Sequence, residues 1–166
     1  MFGLTITSSW GNGHATLWRG LCRALARIRC QVVFFERSTP YYAAARDLAA
    51  DESVTLRVYA DWREARESAR QAVRDCDAVI VTSFCPDAVE ASSLARDAGA
   101  LSVFYDLDTP VTLKTLERGR PSYIGPRGLA DYDLVLSYVG GPSLDALREK
   151  LGARRVAPLY GHADPE

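Results

Sequence analysis

Apolar residues recur along this chain in two alternating rhythms. Short, nearly continuous runs rich in Val, Ile, Leu, Phe and Tyr occupy residues 2–7, 31–36 (QVVFFE), 54–59 (VTLRVY), 77–82 (DAVIVT), 101–105 (LSVFY) and 133–138 (DLVLSY), with a shorter one at 155–159. Runs of this length that do not alternate with polar residues suit strands covered on both faces. Between them the apolar positions spread to helical spacing. Leu17, Leu21, Leu25 and Ile28 fall four, four and three apart, on one face of a helix over residues 14–29. Ser38-Thr39-Pro40 offers a cap followed by proline, a helix start. Trp62, Ala65, Ala69, Ala72 and Val73 mark another helix, and Ala91, Leu94, Ala95 and Ala98 the next. A last one begins at Pro142, carries Leu144, Leu147 and Leu151, and closes at Gly152.

Strands alternating with helices in this way predict right-handed βαβ crossovers. The expected fold is α/β: a single Rossmann-like domain over residues 1–166, with a parallel six- or seven-stranded sheet and helices on both faces. No linker or repeat interrupts it. Residues 116–127 (LERGRPSYIGPR) are the least patterned and predict a long surface loop, a candidate flap over a ligand.

Composition narrows the function. The formal net charge of -1 gives no electrostatic case for nucleic acid. No run approaches the ~20 apolar residues of a membrane span, and no signal-peptide pattern opens the chain. A soluble cytoplasmic protein is expected. Cys22, Cys30, Cys76 and Cys85 form no C-x-x-C pair, and neither histidine lies near them in sequence, so the expectation is reduced thiols and no metal site.

In such a sheet ligands bind beyond the carboxyl ends of the strands. After the first strand comes Ser8-Ser9-Trp10-Gly11-Asn12-Gly13-His14. Its glycines let backbone amides approach a ligand, and the next helix aims free N–H groups at the same place. The alternative is a plain turn, yet Ser9, Trp10, Asn12 and His14 crowd a loop that a turn would not need. His14, at a helix N-terminus, is biased towards the neutral imidazole of a general base; a packing histidine is the competing reading. Glu36 ends the second strand, where a dinucleotide fold holds ribose hydroxyls. Thr82 and Ser83 end the fourth. Asp106 and Asp108 end the fifth, where they either bind hydroxyls, a cation or a proton, or begin a capped turn before Pro110. The tail around His162 is expected to be exposed.

Four stretches carry a resemblance: FGLTITSSWGNGHATLWRGL (2–21), VVFFERSTPYYAAARDL (32–48), FYDLDTPVTL (104–113) and LVLSYVGGPSLDALREKLGARRVAPLYG (134–161). Together they resemble the amino-terminal half of CgeB-type, spore-maturation-like glycosyltransferases of the GT-B fold. The SSWGNGHATLWRG and YDLDTP segments are its specific parts. The resemblance implies half of a GT-B fold, the half that binds a sugar acceptor, which is a small molecule, glycan or glycosylated product. His14, Asp106 and Asp108 match the base candidates, and Gly11, Asn12 and Gly13 match the cleft loop; Ser9, Trp10, Glu36, Thr82 and Ser83 are substrate-binding candidates from their places at the strand ends. It implies no metal and no resident cofactor. A donor domain would bind the nucleotide sugar, and that domain is expected to be missing from this chain, leaving it inactive in transfer by itself. The face left open would favour a homodimer.

Two other readings stand beside this one. Gly11, Gly13 and Glu36 fit part of the fingerprint of an NAD(P)-type oxidoreductase domain, with Thr16 where its third glycine belongs. The chain could also be a non-catalytic, self-associating module.

Overall fold

The computed structural model describes residues 1–161; the expectation for His162 lies outside them. Seven strands form one all-parallel sheet: β1 (Phe2–Gly3), β2 (Val33–Arg37), β3 (Thr55–Tyr59), β4 (Ala78–Thr82), β5 (Leu101–Asp106), β6 (Leu134–Ser137) and β7 (Val156–Pro158). The helices are α1 (His14–Arg27), α2 (Pro40–Ala43), α3 (Trp62–Arg74), α4 (Ala88–Ala98), α5 (Thr109–Leu116) and α6 (Pro142–Leu151). The spatial order is β3-β2-β1-β4-β5-β6-β7. The chain builds outward from β1 through β2 to β3, then crosses back and builds the other way from β4. This is the doubly wound, Rossmann-like arrangement, with its switch in strand order between β1 and β4.

Successive strand residues feed two cores on opposite faces of the sheet. Phe35 and Phe104 join a core closed by Ala65, Ala69 and Val73 of α3 and Ala91 and Ala95 of α4. Phe34 and Tyr105 join a second core under Trp18 and Cys22 of α1. In α1 the buried stripe is Ala15, Trp18 and Cys22, one position round from the expected leucines. Leu17, Leu21 and Leu25 pack on its flank half-buried, and Ile28 is exposed. The small residues let the helix approach the sheet, while the leucines reach sideways.

Three elements differ from the sequence pattern for identifiable reasons. The first strand ends after Gly3, because there the backbone leaves β2 and a side chain takes over: the Glu36 carboxylate accepts from Ile6 N at 2.7 Å and Thr7 N at 3.0 Å. Gly3 itself is required, since a Cβ there would stand 2.6 Å from Phe34 Cζ. The helix begun by Pro40 lasts one turn. Beyond it the chain doubles back, and the N–H groups of Asp47 and Leu48 donate to the Thr7 carbonyl. Residues 116–127 are not a flap over the ligand edge. Pro121, Tyr123 and Ile124 are buried, and the Tyr123 ring packs on Phe84 and Phe104.

Helix α1 stops without glycine. Arg29 itself takes φ +62°, Arg29 N donates to the Ala26 carbonyl, and Cys30 N donates to the Leu25 carbonyl. That is the Schellman pattern with an arginine in its left-handed position. A left-handed non-glycine residue costs about 1 kcal/mol. Arg29→Gly is therefore expected to raise stability by roughly that amount in urea denaturation. An unchanged or lower midpoint would show that the arginine side chain compensates its backbone.

Candidate active site

The carboxyl edge of the sheet carries an open cleft of about 510 Å³. Gly13, His14, Thr16 and Leu17 line it from the start of α1. Leu107, Asp108 and Pro110 line it from the β5–α5 turn, and Tyr138 and Val139 from beyond β6. Of the residues singled out in the sequence, His14, Gly13 and Asp108 come together here.

His14 is presented by the first turn of α1. Asn12 fixes that turn, its Oδ1 accepting from His14 N at 3.1 Å. The His14 ring lies 5.7 Å from the Phe84 ring. Phe84 follows β4 and adopts φ +64°, a strained conformation for a phenylalanine. His14 Nδ1 is enclosed with no hydrogen-bond partner, and the residue lines the cleft. Burial pushes the imidazole below its ordinary value, and the nearby Asp108 carboxylate partly opposes this. The sign of the pH dependence follows. Below about pH 6.5 the unfolded chain takes a proton that the folded His14 resists. Stability is thus full above pH 6.5 and falls as the pH drops below it. A proton-NMR titration should place the His14 midpoint under the ordinary value. His14→Gln should flatten the loss of melting temperature between pH 7.5 and pH 5. An ordinary midpoint would contradict the enclosure of the ring.

Asp106 lies behind this surface, fully buried at the end of β5 and paired in register with Ser137. Its Oδ1 accepts from Thr112 Oγ1 at 2.8 Å and from Asp108 N at 3.3 Å, while Oδ2 has no partner. Burial pushes the Asp106 carboxyl up; hydrogen bonding, chiefly from Thr112, opposes this. Thr112 Oγ1 also meets the Tyr123 hydroxyl at 2.9 Å. A chain of buried hydroxyls thus runs from Tyr123 to Asp106 beneath the cleft.

The other sequence candidates brace the loop from behind or beside. The Ser9 amide and hydroxyl both donate to Asp47, which also takes Arg19. Trp10 lies exposed against Tyr41. Asn12 is buried, and Gly11 has φ +62°. Glu36 faces inward: Oε2 holds Ile6 N and Thr7 N, and Oε1 accepts from Thr7 Oγ1 at 2.6 Å. Thr82 and Ser83 are buried, and Ser83 Oγ accepts from Leu107 N at 2.9 Å, so Ser83 holds the β5–α5 turn from below.

No protein-family model matches this chain, and no curated protein or solved structure matches it either. The chemistry must therefore be read from the site itself.

Tyr138, Val139, Thr112 and Tyr123 were missed from the sequence. Tyr138 and Val139 come directly after β6, so the strand-end rule reaches them, but Tyr138 reads in the sequence only as the end of a strand run and Val139 offers no polar group. Thr112 and Tyr123 carried none at all. Among the described residues no three His, Cys, Asp or Glu side chains converge as a metal cage. No helix among them is long and apolar enough to cross a membrane.

Proposed function

We propose that this chain forms the acceptor-side half of a glycosyl-transfer site of the GT-B kind. The observation that carries the reading is His14, held towards the neutral form with its Nδ1 partnerless and the Asp108 carboxylate nearby, in a cleft at the carboxyl edge of a doubly wound sheet. A neutral imidazole beside a carboxylate can take the proton of an acceptor hydroxyl as its oxygen bonds to the anomeric carbon. Asp108 then steadies the imidazolium. The bond to the diphosphate leaving group breaks in the same transfer, and in a GT-B arrangement the groups that hold that diphosphate belong to the donor half.

The dinucleotide reading is weaker on two counts. The connection from β1 to α1 runs over residues 4–13, where a dinucleotide fingerprint has a tight turn. Glu36, the residue that would hold a ribose, is engaged with Ile6 and Thr7.

The test is a thermal-shift panel of NAD(H), NADP(H) and uridine, guanosine and thymidine sugar nucleotides. A ligand at a hundred times its dissociation constant adds about 2.7 kcal/mol, or roughly 5–10 °C for a domain of this size. No nucleotide is expected to give such a rise. A rise with NAD(H) would replace this reading with the oxidoreductase one.

A further inference from the structure

Trp10 and Tyr41 are 58% and 56% exposed, yet they are held. Their rings sit 5.0 Å apart, and Tyr41 meets the edge of Tyr42 at 4.9 Å. The loop carrying Trp10 is tied down by Ser9 on Asp47, with Arg19 holding Asp47 from the other side. The Tyr41 hydroxyl lies 3.1 Å from where a Cβ on Gly11 would stand, so the backbone rests against that ring. Rings fixed in one geometry lose little entropy when something stacks on them.

What stacks must suit the charge. Asp47 is nearly half exposed beside this pair, and Arg19 and Ser9 hold its carboxyl down at about 2, so it stays ionised. Arg19 pairs with that carboxylate, so the site carries little net charge to attract a phosphate, while the carboxylate oxygens, which Ser9 also meets, can accept a further hydrogen bond from a hydroxyl. A pyranose offers an apolar C–H face for the rings and hydroxyls at its edge for the carboxylate. Trp10 is also close to the cleft. Three peptide units join it to Gly13, a cleft-lining residue, so their Cα atoms are at most about 11 Å apart. Two linked pyranose rings span such a distance.

We propose that Trp10 and Tyr41 form a stacking subsite for a neutral sugar ring, so that the acceptor is a disaccharide or longer glycan whose next ring enters the cleft at His14 and Asp108. The inference rests on the acceptor reading and narrows its substrate class.

The experiment follows tryptophan emission of the whole chain during titration with cellobiose, maltose and lactose, with glucose and UMP as controls. The His14 resonance, assigned with His14→Gln, is followed in parallel. Trp18 is buried and Trp62 half-buried, so Trp10 is the tryptophan a ligand reaches most readily. At least one disaccharide is expected to shift both signals and to saturate, with glucose at least tenfold weaker. Trp10→Ala and Tyr41→Ala should each weaken the disaccharide at least tenfold by calorimetry. A disaccharide that moves the His14 resonance equally in wild type and Trp10→Ala would overturn the subsite and leave the acceptor reading standing. Silence of both signals to all three disaccharides would overturn the subsite, and joined to a thermal shift with NAD(H) it would remove the acceptor reading as well. A saturating response to UMP alone would overturn the sugar assignment. So would emission that changes only with protein concentration, alongside a dimer in light scattering; that outcome would give the patch to a second copy of the chain.

Discussion

Glu36→Ala is expected to destabilise the protein by about 3–5 kcal/mol, measured as the loss of unfolding free energy in urea. The residue is 1% exposed, and its carboxylate holds Ile6 N, Thr7 N and Thr7 Oγ1. Alanine would leave three buried donors without an acceptor, each costing about 1–3 kcal/mol, and relaxation of the loop recovers part of that. A domain stable by ~5–15 kcal/mol loses much of its margin. Glu36→Gln keeps one acceptor oxygen and the volume, and should cost about half as much. The two variants separate this role from a ligand role. A stabilising girder shows its effect in the unliganded protein; a ribose-holding carboxylate would leave that protein unmoved. If Glu36→Ala melts like wild type, the carboxylate is not what replaces β1 beyond Gly3.

Glu36 also shows where the sequence stops being legible. Strand positions could be read from continuous apolar runs, since burial on both faces removes polar alternation, and all seven runs contain strands. The length of β1 could not be read. It is set by a carboxylate some thirty residues away, and no local pattern encodes that partner. The same holds for the site. His14 and Asp108 were legible because each lies in the connection that leaves the carboxyl end of a strand and carries chemistry. The bracing of Ser9 by Asp47, and of Asp106 by Thr112 and Tyr123, depends on chain reversals that bring distant residues together. Residues 116–127 are the irregular, largely exposed segment that their Gly, Pro and Arg content suggests; what misled was the flap, because buried Pro121, Tyr123 and Ile124 anchor the segment against the core.

Helix α1 shows the same limit, and its central residue gives the second large effect. Trp18→Ala is expected to cost about 3–5 kcal/mol. The side chain is 1% exposed, packed 5.7 Å from the Phe34 ring and edge-on to Tyr105 at 5.8 Å. Alanine would open a cavity between helix and sheet that the rigid strands cannot close. Trp18→Phe should cost only about 1 kcal/mol, less than its lost volume suggests. The reason is the indole N–H, buried without an acceptor, whose removal relieves a standing penalty. The pair of variants also tests how the fold carries the site. Trp18 lies one helical turn beyond His14, on the same side of α1, so it sets how deeply that first turn is held against the sheet. In Trp18→Ala the turn should loosen, water should reach the imidazole, and the His14 midpoint should move back up towards its ordinary value. In Trp18→Phe it should stay low. If both variants keep the low midpoint, the enclosure of His14 does not depend on Trp18, and the packing under α1 supports the fold without tuning the candidate base.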